Sequence, residues 1–162
     1  MRARQAALSI VVLAGAAFLT AGAGSAQQSP FLALSGNWSG SGTINFSDGH
    51  KERIRCRAEY QPDARGARIE IGLTCASDSY KFELSADAEY EAGNVSGRWS
   101  ERTRGAAGSL TGKASVGHIN VNAVGQTFAA LLNISTRGSS QSVRIAAPGS
   151  TVSEVAISMA KR

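Results

Sequence analysis

From Gly36 to the C-terminus, apolar and polar residues alternate with a period of two, interrupted at short intervals by glycine-bearing turns. That is the pattern of β-strands buried on one face, and helical spacing is scarce. Between Lys51 and Tyr60 the inward set is Ile54, Cys56, Ala58 and Tyr60, while Arg53, Arg55, Arg57 and Glu59 point the other way. The next run sets Ile69, Ile71, Leu73 and Cys75 inward against Arg68, Glu70 and Thr74. A hairpin reversing around Arg65-Gly66, where glycine accepts the positive φ of a tight loop, makes paired residue numbers sum to 131. Cys56 then falls opposite Cys75, Ala58 opposite Leu73 and Tyr60 opposite Ile71, whereas a slip of one residue would ruin every match. Directly opposed side chains lie about 4.5–5.5 Å apart, so this register predicts a Cys56–Cys75 disulfide.

The same alternation marks an opening strand from Asn37 to Phe46, a run from Ser79 to Tyr90, and a shorter one from Val95 to Ser100. Further runs cover Ser109 to Val116, Ile119 to Val124, Thr127 to Ser135, Gln141 to Ala146 and Val152 to Met159. Turn residues separate them at Gly93-Asn94, Gly105, Gly117, Gly125, Arg137-Gly138 and Pro148-Gly149. The expectation is an all-β domain, a single antiparallel up-and-down β-barrel of eight or nine short strands. Closure is preferred over a sandwich because it removes exposed edges. Inward glycines at Gly40, Gly42, Gly97 and Gly112 suit sharply coiled strands or bulges. A membrane-spanning barrel is rejected, since Arg53, Arg55, Arg57, Lys81, Glu83 and Asp87 occupy the face that lipid would cover.

Gly36-Asn37-Trp38, opening the first strand, resembles the G-x-W signature of lipocalins, found also near the start of avidin-type proteins. The resemblance implies an antiparallel barrel whose Trp closes one end of the core beneath a basic residue from the last strands, for which Arg144 and Lys161 are the candidates. No biotin site or long ligand-covering loop accompanies it. The chain is also similar to small exported proteins of Gram-negative bacteria.

The N-terminus changes the compartment rather than the fold. Arg2 and Arg4 precede an uncharged stretch from Ala6 to Ala23, and Gly24-Ser25-Ala26 offers a small-residue cleavage site. These are the parts of a signal peptide over residues 1–26, and residues 27–35 then read as a short linker to a barrel domain at 36–162. Polar residues follow the apolar stretch where a permanent anchor would carry Lys or Arg, so no transmembrane anchor is expected after processing. Removing 26 of 162 residues leaves 136, one domain. Of the 17 basic residues, two lie in the leader, leaving 15 against 12 acidic ones and a mature formal charge of about +3. A periplasmic or extracellular location fits a disulfide.

Catalytic chemistry is hard to find. There is no G-x-S-x-G elbow, no paired-histidine or C-x-x-C metal motif, and His50 and His118 are the only histidines. No metal, cofactor or catalytic residue is assigned, and a non-enzymatic protein is expected. Glu101 alone continues an inward parity among the acids, and it carries the competing enzyme reading. Arg53, Arg55 and Arg57, with Arg68, form a positive stripe able to hold phosphate or lipid headgroups. In the proposed register, however, Arg53 faces Asp78 and Arg68 faces Asp63, which is expected to neutralise half of it. Arg98, Arg102 and Arg104, with only Glu101 nearby, are the better candidates for anion contact. Nucleic acid is a poor partner, given the leader and the modest charge.

The sequence thus leads to a barrel that holds a small apolar or amphipathic ligand or interacts with the envelope. Its candidate cavity lining is Trp38, Tyr60, Tyr80, Phe82, Trp99 and Phe128, all on the inward parity. The rival is an interaction module, inhibitor-like or binding an anionic surface, that works through its outer face around a solid core.

Overall fold

A computed structural model describes residues 28–162; the expected signal peptide lies outside the described residues. Ten antiparallel strands follow one another: β1 (Gly36–Phe46), β2 (Lys51–Pro62), β3 (Arg68–Ala76), β4 (Lys81–Glu91), β5 (Asn94–Glu101), β6 (Ala106–Ser115), β7 (His118–Gly125), β8 (Ala129–Arg137), β9 (Ser140–Ala146) and β10 (Val152–Lys161). Each pairs with its sequence neighbour, and β10 returns to β1, closing the barrel. The count corrects the expected eight or nine. Every alternating run is a strand of its own; glycines at positive φ, among them Gly66, Gly93, Gly117 and Gly138, reverse the chain at most of the turns, and Ser77–Tyr80 does so between β3 and β4.

The β2–β3 register is the one that alternation dictates: Cys56 pairs with Cys75, Ala58 with Leu73 and Tyr60 with Ile71. Both cysteines are buried and joined by a disulfide across 19 positions. The inward residues of all strands merge into one core that includes Trp38, Ile44, Ile54, Ile69, Trp99 and Ile157.

Closure of β1 on β10 depends on two small residues. Pairing runs without interruption from Trp38↔Lys161 through Gly42↔Ile157, and shifts only between Asn45 and Phe46. Gly40 and Gly42 therefore sit in a coiled strand, not in bulges. A Cβ at Gly42 would lie 1.8 Å from the Ala156 carbonyl oxygen, and one at Gly40 would lie 1.9 Å from that of Ser158. No side chain fits there without separating the strands.

With an even strand number, the start of β1 and the end of β10 lie at one end of the barrel. Within the segment expected as a linker, a 3-10 turn (Leu32–Leu34) buries Phe31 and Leu34. The Ser29 hydroxyl donates to the Gly66 carbonyl (2.5 Å), and the Phe31 ring meets Tyr90 edge-on. This end is capped. The opposite end is framed by the loops that follow β1, β3, β5, β7 and β9.

Two stability outcomes follow. Gly42→Ala is expected to lose about 3 kcal/mol or more, or to prevent closure altogether, as read by urea unfolding followed with far-UV circular dichroism. Replacing both cysteines with Ala is expected to cost about 3 kcal/mol, the scale for a loop of this length, while leaving the strand spectrum intact. The register would survive because inward packing sets it independently of the sulfur link.

Candidate functional site

At the capped end, Trp38 stands on the first inward position of β1, buried, with its indole N–H donating to the Leu34 carbonyl at 2.7 Å. The Lys161 ammonium lies 5.8 Å from the centre of its ring, carried there by the Trp38↔Lys161 pairing. Arg144, the other candidate for that place, points outward and meets Glu154 at 3.8 Å. Below the cap, Tyr60 donates to Gln141 (3.0 Å), which donates to Thr136 (3.2 Å). Burial pushes the Tyr60 phenol up to about 12, against a small lowering by the Gln141 bond, so it stays a neutral donor. Sequence reading passed over Gln141 and Thr136, although their inward parity on β9 and β8 was a legible signal.

The other four candidate lining residues lie toward the open end. Trp99 and Phe128 meet edge to face with centroids 5.8 Å apart, Phe82 is half-buried on β4, and Tyr80 stands at the rim. There the Arg104 guanidinium lies 3.9 Å from the centre of the Tyr80 ring, and Phe46 approaches Tyr80 edge-on while stacking on His50 at 4.0 Å. The His50 imidazole bonds Asp48 (3.0 Å) and Glu52 (3.1 Å); the bond to Glu52, followed by that to Asp48, raises its pKa. The lining candidates therefore divide into a sealed pair (Trp38, Tyr60) and an open-end group. The Trp99 indole nitrogen is buried, and among the described residues no acceptor reaches it.

Glu101 ends β5 and is 8 % exposed. Its Oε1 accepts from the Glu83 N–H (2.9 Å), the Thr103 N–H (3.0 Å) and the Thr103 hydroxyl (2.5 Å), and its Oε2 accepts from the Arg104 N–H (2.8 Å). Burial pushes this carboxyl up. Hydrogen bonds from the Thr103 side chain and from the backbone N–H groups of Glu83, Thr103 and Arg104 outweigh it and leave the group below the ordinary range. A carboxylate so engaged ties the β5–β6 loop to the rim, with three donors on Oε1 and one on Oε2.

The basic candidates are placed differently from one another. Arg102 pairs with Glu83, Arg104 covers Tyr80 and donates to the Lys81 carbonyl (3.1 Å), and Arg98 stands outward opposite Asp87. The expected neutralisation of the β2 stripe does not occur. The β2–β3 ladder stops at Arg55↔Ala76, so Asp78 lies in the following loop and forms no ion pair with Arg53, and Arg68 pairs with Glu89 on β4 (3.1 Å) instead of Asp63. Asp63 instead accepts from the Ala67 N–H (2.8 Å) inside the turn.

The larger of two described concavities, about 920 Å³, runs over the outer face of β1 to β6, where Gly72, Ser85, Ser100 and Ala107 leave a shallow trough beside Arg57, Glu83 and Arg102. No helix among the described residues is long and apolar enough to cross a membrane.

These features define a closed up-and-down antiparallel β-barrel with one capped and one open end. No protein-family model matches the sequence, and no curated protein matches it. Among solved structures it is similar to Rv2717c from M. tuberculosis, with a TM-score of 0.61 and 12 % identity over 84 % of this chain and 99 % of that one. It is likewise similar to the S-type phycobiliprotein lyase CPES from Guillardia theta, with a TM-score of 0.53 and 12 % identity over 82 % and 90 % of the two chains. At such identity the likeness is one of fold.

The lowered pKa of Glu101 fixes a sign. Its contribution to stability is present above the unfolded carboxyl value, about 4.3, and is lost as pH falls through the lower folded value. Glu101→Gln, which strands N–H donors at the rim, is expected to cost about 1–3 kcal/mol at pH 7. The cost should shrink toward pH 3, as measured by urea unfolding of both proteins at the two pH values.

Proposed function

We propose that this chain is an exported, non-enzymatic carrier that holds a small apolar or amphipathic ligand in its lumen, loaded through the end opposite the cap. One observation carries the reading. Leu84, Leu132, Ile134 and Ile145 face inward yet remain only partly buried, although they stand on strands whose neighbours complete the core. A solidly packed barrel would bury such residues fully. The aromatic group of Phe82, Trp99 and Phe128 supplies flat apolar surface on the route in, and Arg104 at the rim supplies a cation for a polar head. The buried Trp99 N–H, lacking an acceptor, is suited to a ligand oxygen. The similarity to a phycobiliprotein lyase fits a barrel that handles a small molecule, and the G-x-W opening with Lys161 over Trp38 fits a lipocalin-like arrangement. The leader and the disulfide support a periplasmic or extracellular location.

A second reading, a surface-acting module, is favoured by the outer trough beside Arg57, Glu83 and Arg102. Native mass spectrometry of the processed protein, with Trp fluorescence during titration by a long-chain fatty acid, separates the two. The carrier reading expects a co-purified or added small molecule, quenching or shielding of Trp99, and binding weakened about five- to tenfold by Trp99→Phe. Leu132→Trp, which narrows the lumen, should abolish it. Binding untouched by both variants would place the ligand outside the lumen and sink the proposal.

A further inference from the structure

Lys51, Arg53, Arg55 and Arg57 occupy four consecutive outward positions of β2, and all four are exposed. Alternate residues on a strand are about 6.8 Å apart, so the four cations form a straight row about 20 Å long. None of them forms an ion pair with a described residue within 4.0 Å, whereas Lys81, Arg68, Arg102, Arg104 and Arg144 each do. The acids nearest in the sheet are otherwise occupied. Glu52 bonds Ser79 and His50, Glu154 bonds Asn45 and Arg144, and Glu59, which ends the row, accepts from Gln61. Neighbouring charges in the row sit inside the screening length of physiological salt, about 8 Å, so they repel one another.

The flanks decide what such a row fits. On β1 its cross-strand partners are Asn45, Thr43, Ser41 and Ser39, and on β3 they are Ala76 and Thr74. All are shorter than Arg or Lys. The long cationic side chains therefore stand as a ridge, and of the two shallow concavities beside it one meets Lys51 and Arg53 and the other Arg57, so neither runs the length of the row. A ridge meets a flat charged plane along its whole length, while a groove would be needed to enclose a polymer strand. The ridge carries no aromatic side chain on which bases could stack, and no apolar one that could wedge into acyl chains.

We infer that the Lys51–Arg57 ridge docks the barrel on an anionic phospholipid surface through headgroup contacts alone. The docked barrel lies with β2 against the membrane, and the lumen remains clear of that face. Each cation close to such a surface strengthens binding about fivefold, and the effect fades within a screening length, so docking is salt-sensitive.

The ten described strands, the cap and the disulfide lie within residues 28–162, which matches the expected processed protein but for its first residue, and this is the material for the test. It is sedimented with vesicles of phosphatidylcholine containing about one third phosphatidylglycerol, and with phosphatidylcholine alone. Expected is binding to the anionic vesicles only, lost in high salt. R53S/R55S/R57S should weaken it about 100-fold, and R98S/K113S/R137S, which removes as much charge elsewhere on the barrel, by no more than about threefold. The ridge variant should unfold at the same or higher urea concentration than the parent, because the replaced charges repel. Equal loss from both triple variants would show a general charge effect and overturn the inference. No binding to anionic vesicles, or capture by soluble heparin without vesicle binding, would overturn it too.

Discussion

The structure depends on the meeting of its first and last strands. Nine of the ten strand pairings, all of them hairpins, could form in an open, coiled sheet, but the edge it would leave is a row of unsatisfied backbone groups on each side. β1 removes that edge by approaching β10 so closely that the Gly42 Cα faces the Ala156 carbonyl with no room for a methyl group. Two hydrogens in place of side chains thus permit the close seam, as Gly97, Gly108 and Gly112 do between other strands of the wall. The cap follows from the same closure, because the ends of β1 and β10 bring residues 29–34 and Lys161 to one rim, over Trp38.

Much of this was legible in the chain. Period-two alternation is unusually clean from Lys51 to Tyr90, and one arithmetic constraint on the β2–β3 hairpin fixed the inside of the barrel and the partner of each cysteine. The expected eight or nine strands fell short of the alternating runs themselves, which number ten and coincide one for one with the strands. Side-chain partners across loops were less legible. The pairing of Arg53 with Asp78 assumed that a ladder continues past Ala76, but the Ser77–Tyr80 turn leaves the sheet there. Glu101 was noticed for its parity. Only the fold of the β5–β6 loop around it reveals that every oxygen is already engaged.

The two faces of the wall now carry different chemistry. Inside, apolar residues and a few hydrogen-bonded polar groups form the core, with Leu84, Leu132, Ile134 and Ile145 only partly buried against it. Outside, charge is concentrated on β2 to β5, whereas the outward positions of β7 to β10 are mainly Ser, Asn and Ala, with Leu131 and Val124 exposed among them. A barrel separates such functions well, because neighbouring residues on one strand point to opposite sides. Arg57 can meet a surface while Ala58, its neighbour, lines the core.

The most direct test of that division is a crystal of residues 28–162 soaked with a brominated fatty acid, with the bromine located by anomalous scattering. Bromine inside the wall, between β4 and β8 on the Trp99 side, is the expected result. Bromine confined to the outer trough, with the interior filled by side chains alone, would contradict the account.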